Sequence, residues 1–140
     1  TGNDPVSSLL PAVFEWISAD SARPVLGPCA GAILLSDPQD GGAKLVDAVI
    51  DRNAFGTQAD SFQTTLEATA LQREFPGVFI RAPRFTQTGP AGEVAAMLGD
   101  EVVGVKTGNR LALTFHPELS ADVGFHRWLI ETASSLTAEA

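Results

Sequence analysis

Val25-Leu26-Gly27-Pro28-Cys29-Ala30-Gly31-Ala32-Ile33-Leu34-Leu35 is the stretch on which the fold turns. A short apolar run ends at a proline, passes a cysteine set among small residues, and gives way to a second apolar run. This pattern reads as buried strand, tight turn and helix. A cysteine on such a turn is held with its sulfur exposed at the end of a sheet, and the helix N-terminus behind it favours the thiolate. The small neighbours Gly27, Ala30 and Gly31 let the chain turn sharply and let a substrate approach, as in a nucleophile elbow. The backbone N–H of Ala30 would then face an oxyanion formed on that substrate. A solitary cysteine is also commonly a packed, inert residue, so the turn alone leaves both readings of Cys29 open.

Upstream, Asp4 followed by Pro5 is a helix-start signal. Val6, Leu9, Leu10, Val13 and Ile17 repeat at helical spacing and predict an amphipathic helix of about 14 residues ending near Asp20. Downstream of Lys44 the pattern changes to period 2 or short β-branched runs. These predict strands over Leu45 to Asp51, Ser61 to Glu67, Val78 to Ala82, Glu93 to Leu98, Glu101 to Lys106 and Leu111 to Phe115. Gly41-Gly42, Phe75-Pro76-Gly77, Thr88-Gly89-Pro90, Gly99-Asp100 and Thr107-Gly108-Asn109 read as the turns between them. Asp122 can cap a last helix that buries Phe125, Trp128, Leu129 and Leu136 against the sheet. No repeat, low-complexity tract or linker interrupts the chain, and the mix of elements points to one layered α/β domain over residues 1–140.

Composition narrows the function. The chain has 140 residues, 44% of them hydrophobic and 19% charged, close to an ordinary globular domain. Nine basic against 17 acidic side chains leave a net charge of −8, which repels a polyanion and argues against nucleic acid as a partner. The longest uncharged apolar stretch, around Ala30 to Leu35, is far shorter than the roughly 20 residues of a membrane span, so no membrane partner is expected. A single cysteine forms no internal disulfide and fits a reducing, cytoplasmic setting.

A cysteine nucleophile needs a base, and the base needs something to orient it. Thr114-Phe115-His116-Pro117-Glu118-Leu119 offers both at the end of an apolar strand. Leu111, Leu113 and Phe115 would face one side of that strand and His116 the other as the chain leaves the sheet. Pro117 holds the exit extended, so the Glu118 carboxylate can reach the imidazole and fix its tautomer. A solvated histidine beside a surface carboxylate is the bland alternative. A metal site of His116, Glu118 and His126 finds no second cysteine or paired helical histidine to support it.

The sequence resembles class I, triad-type glutamine amidotransferases, and within them the glutaminase subunits of pyridoxal 5'-phosphate synthases. Four segments carry the resemblance: 27–31, 52–62, 78–83 and 115–119. The first and last mark the reaction class, and the middle two, Arg52 to Phe62 and Val78 to Pro83, are the more specific. The resemblance implies a flavodoxin-like α/β domain with a mainly parallel sheet flanked by helices. It implies that Cys29 is the nucleophile, His116 the general base and acid, and Glu118 the residue that orients the histidine. Arg52, Ile80 and Arg81 match glutamine-binding positions, and both arginines suit the α-carboxylate of glutamine because a guanidinium meets a carboxylate bidentately. L-Glutamine would be hydrolysed to glutamate, with ammonia passed to a barrel-shaped synthase subunit for vitamin B6 biosynthesis. No cofactor or metal is implied.

Two departures stand out. Pro28 replaces the threonine of the family motif, removing a backbone donor and stiffening the turn. The glycine-rich Gly-Gly-Glu-Ser segment that helps form the family's oxyanion hole has a poor match in Thr1-Gly2-Asn3-Asp4, so the chain reads as an N-terminally truncated form of the domain. A non-catalytic remnant that keeps the fold and its partner surface is the rival reading. A redox or hydrolase cysteine of another α/β family is a weaker one, having no use for the Arg52 and Arg81 segments.

Overall fold

The computed structural model describes residues 5–20, 22–37, 44–51 and 62–139. The Asp4 cap, the Gly41-Gly42 turn and the 52–61 part of the Arg52 segment lie outside them. In chain order the elements are α1 (Pro5–Ser18), β1 (Val25–Pro28), α2 (Ala30–Ser36), β2 (Ala48–Asp51), β3 (Phe62–Ala68), β4 (Arg73–Phe79), β5 (Arg84–Thr88), β6 (Glu93–Leu98), β7 (Glu101–Thr107), β8 (Arg110–Leu113) and α3 (Gly124–Glu139). Single 3₁₀ turns at Thr69–Leu71 and Pro117–Leu119 precede β4 and α3.

Six strands form one sheet in the order β1-β8-β7-β6-β3-β4, and β2 pairs with β5 in a separate antiparallel ribbon. The layered α/β architecture is as expected. Where a mainly parallel sheet was expected, β1 and β8 form the one parallel pair among the described strands, with Gly27 opposite Ala112 and Pro28 opposite Leu113. The other described pairs are antiparallel; for β6–β7 and β7–β8 the short turns at Gly99-Asp100 and Gly108-Asn109 can only reverse the chain. Both of those glycines have positive φ, near 59° and 58°, which a side chain would resist.

β8 is buried on both faces. Leu111 and Leu113 enter one core with Phe115 and Phe125, while Ala112 enters a second core with Ala32, Leu35 and Val46. The alternation predicted for Leu111, Leu113 and Phe115 is therefore present. Around Phe115 the rings of Phe75, Phe79 and Phe125 close in at centroid distances of 5.9, 5.5 and 5.7 Å. Phe75 and Phe79 belong to β4, at the opposite margin of the sheet, so the sheet curls until that margin meets the segment leaving β8.

At the amino end of β8, Arg110 is only 8% exposed. Its guanidinium donates to the carbonyls of Ile17 (2.8 Å), Asp20 (3.0 Å) and Arg23 (3.1 Å). It thereby adds donors to carbonyls at the end of α1 and in the following turn, two of which, Ile17 and Asp20, also accept a main-chain N–H.

Several elements differ from the sequence reading. Phe75-Pro76-Gly77 is interior to β4 rather than a turn, and β4 begins five residues before the predicted Val78. Proline is tolerated because β4 is an edge strand, where its missing N–H interrupts no ladder between two neighbours. β5 was not foreseen; its pairing with β2 is long-range. Leu45 and Val46 are not in β2: both N–H groups donate to the Leu35 carbonyl at 2.9 and 3.0 Å and close the end of α2. In α1 the described buried positions are Phe14 and Ile17, whereas Val13 faces out beside Trp16, over whose ring Arg23 lies at 4.0 Å.

Candidate active site

The site forms where β1 and β8 end side by side. Gly27 lets helix and strand meet there: a Cβ on it would lie 2.6 Å from Leu35 Cδ1 and 2.7 Å from the Gly31 carbonyl. Cys29 follows Pro28 with φ 51° and ψ −108°, a strained conformation for a residue with a side chain. Three contacts hold it. Its N–H donates to the Leu113 carbonyl at 2.7 Å, its carbonyl accepts from Ala32 N–H at 2.9 Å, and its Sγ stands 4.0 Å from the Ile80 carbonyl. The proline at position 28 thus coexists with a sharp elbow.

Burial pushes the Cys29 thiol above its ordinary pKa, and the nearby Glu118 charge adds to the rise. The Ala30 N–H pulls the other way and loses. The amide at the start of α2 does favour the thiolate, as expected, but desolvation of the sulfur outweighs it. Desolvation thus opposes the thiolate, and a base that takes the thiol proton would offset it.

His116 leaves β8 with its N–H donating to the Val78 carbonyl of β4 at 2.8 Å, and Phe115 beneath it is fully buried. Its Nδ1 lies 2.6 Å from Glu118 Oε2. Pro117 opens the intervening 3₁₀ turn, which is what folds Glu118 back. Burial raises the Glu118 carboxyl, but the His116 hydrogen bond, the Glu118 N–H and the nearby His116 and His126 rings together hold it below the usual range. That arrangement favours a carboxylate accepting from Nδ1–H, leaving Nε2 free to take a proton. Among the described residues no three His, Cys, Asp or Glu side chains gather closely enough to hold a metal ion.

Ile80 and Arg81 lie just past β4, at the same end of the molecule. Arg81 also has positive φ, 44°, and is exposed. The structure therefore brings Cys29, Ala30, Ile80, Arg81, His116 and Glu118 to one region, whereas Arg52 lies outside the described residues. The sequence reading did not foresee the part played by Val78, whose main-chain carbonyl anchors His116. No side-chain pattern can signal a main-chain acceptor on a strand 38 residues away in the chain.

Residues 6–135 match the model of the SNO glutamine amidotransferase family. Two relatives, each a "Pyridoxal 5'-phosphate synthase subunit PdxT", are from Dehalococcoides mccartyi and Shouchella clausii. The first is 47% identical over 123 residues, covering 82% of this chain and 63% of the relative. The second is 43% identical over 116 residues, covering 80% and 60%. The chain thus spans about three fifths of the length of these curated relatives. A crystal structure described as a glutamine amidotransferase is 44% identical, with a TM-score of 0.70 over 79% of this chain and 61% of that one. A glutamine amidotransferase from Thermotoga maritima, 17% identical with a TM-score of 0.58, shares the fold over 96% of this chain and 57% of its own.

Proposed function

The chain belongs to the SNO glutamine amidotransferase family, and from that premise we propose that it is the glutaminase part of a pyridoxal 5'-phosphate synthase, acting through Cys29, His116 and Glu118. The observation that carries the reading is the 2.6 Å His116–Glu118 hydrogen bond at the end of the sheet where Cys29 is held in its strained turn.

The chemistry follows from the protonation states. His116 Nε2 takes the thiol proton as the sulfur attacks the side-chain amide carbon of L-glutamine. The Ala30 N–H receives the developing oxyanion. His116 then passes the proton to the leaving nitrogen, the C–N bond breaks, and ammonia departs from a glutamyl thioester. Water, deprotonated by the same imidazole, attacks the thioester and releases glutamate and the free thiol. Glu118 holds the tautomer and stabilises the imidazolium between the two proton transfers.

Arg52 and Arg81, with Ile80, form the glutamine-binding set in this reading, and the ammonia goes to a barrel-shaped synthase subunit in the cytoplasm. No helix among the described residues is long and apolar enough to cross a membrane. The test is ammonia release from L-glutamine, with and without the synthase subunit. Release that depends on Cys29 and is raised by the subunit is the expected result. Release unaffected by Cys29→Ala would overturn the assignment.

A further inference from the structure

We propose that Arg73 and Asp122 form a positioning pair for the His116–Glu118 dyad, an inference that rests on the triad reading above. β4 grips the segment leaving β8 at two points. Near its end the Val78 carbonyl accepts the His116 N–H. At its first residue, Arg73 takes Asp122 bidentately, Nη1 to Oδ2 at 2.6 Å and Nη2 to Oδ1 at 2.8 Å.

The chain between these anchors has little slack. Leu119 N–H donates to the His116 carbonyl and Ser120 N–H to that of Pro117, each at 3.2 Å. Asp122 N–H then donates to Ser120 Oγ at 3.0 Å, and Asp122 Oδ1 accepts Gly124 N–H at 2.9 Å as α3 begins. A shift of Asp122 must therefore pass back through the single turn that carries Glu118, or open it. Apolar packing holds the two flanks, at Pro117 and Phe125, which are fully buried, but not the stretch between them that Asp122 ties down, where Leu119 is 56% and Val123 53% exposed. Gly124 is cut to fit the clamp, because a Cβ there would meet Arg73 Nη2 at 2.5 Å.

The pair suits orientation better than stability. With side chains 47% and 24% exposed, it is screened by solvent and adds little to folding. Its planar fork nevertheless fixes direction as well as distance. The dyad faces the same solvent and needs its imidazole held within a few tenths of an ångström of the productive geometry.

The test uses the full-length gene product with the synthase subunit present. Arg73→Ala and Asp122→Asn, the second of which keeps an acceptor for Gly124 N–H, should each lower kcat about tenfold. KM for glutamine should stay within about twofold, because neither side chain is proposed to touch substrate. The double variant should lose no more than the worse single, as two halves of one clamp do. The His116 Nδ1 proton resonance, expected far downfield for a 2.6 Å hydrogen bond to Glu118, should broaden or shift upfield in both singles. Arg110→Met serves as the control: it lowers the melting temperature from the opposite end of β8 and should leave kcat and that resonance in place. Unchanged kcat and resonance in Arg73→Ala and Asp122→Asn would overturn the proposal. So would an equal loss of kcat in Arg110→Met. If Cys29→Ala retains turnover, the triad reading falls and takes this inference with it; if Cys29→Ala is inactive while Arg73→Ala is fully active, only the inference falls.

Discussion

β8 is four residues long, and its two ends are built on opposite principles. At the amino end, Arg110 is a buried cation whose guanidinium is spent on three carbonyls, from Ile17, Asp20 and Arg23. At the carboxyl end, the neighbouring chain is strained at Cys29 and again at Arg81, the His116 ring is partly open to solvent, and Glu118 more so. One end satisfies polar groups and closes them off. The other leaves a thiol, an imidazole and a carboxylate within reach of a ligand. Sheets of this class place their ligands beyond the carboxyl ends of parallel strands, and the difference follows from where the chain turns: β1 and β8 both finish there, so two turns can present side chains together.

The contrast is sharpest under substitution. Cys29→Ala or His116→Ala should lower glutamine hydrolysis on the order of a thousandfold or more, while thermal unfolding stays near that of the parent. Glu118→Gln should leave more turnover, since in the proposed mechanism Glu118 orients the base without touching substrate. Its carboxyl titrates lower in the folded protein than in the unfolded chain. The stability it lends is therefore present above the ordinary carboxylate range and fades as the pH falls through the lowered value. Glu118→Gln should erase that acid-side component in melts recorded between neutral and acid pH.

At the other end the signature reverses. Arg110→Met should cost about 2–3 kcal/mol in urea unfolding, since buried carbonyls lose charged donors, with kcat unchanged. A large loss of kcat at intact stability would break the comparison. Gly27→Ala bridges the two ends, because it lies in β1 but supports the elbow. The added methyl meets Leu35 and the Gly31 carbonyl, and should cost about 1–3 kcal/mol together with a fall in turnover. The smallest effect is expected at Arg81→Gly: relief of the positive φ should raise stability by about 0.5 kcal/mol. Loss of the guanidinium should show as a higher KM for glutamine, and an unchanged KM would remove Arg81 from the binding set.

Much of the site was legible because its signals are local. A strand, a cysteine among small residues and a helix are contiguous in 25–36, and His116-Pro117-Glu118 meets within one turn. Alternation in β8 could be read because both its faces are buried and each takes a different core. What misled the reading was context. Pro76 punctuates a sequence as a turn but sits in an edge strand, and β5 exists because β2 is there to pair with it. The helix N-terminus favours the thiolate as the sequence implies, but burial of the sulfur, which no local pattern signals, outweighs it.

By itself the sequence determined which residue types could do the chemistry, the turn that carries each of them, and the layered α/β class, because hydrophobic period, proline and glycine act within a few residues. The tertiary structure alone decided that β4 curls back to hold His116 through Val78, that Cys29 faces the Ile80 carbonyl, and that Arg73 reaches Asp122. Those contacts join positions 38, 51 and 49 residues apart in the chain. They depend on strand order and on the packing of Phe75, Phe79, Phe115 and Phe125, and neither is written in the spacing of any one segment.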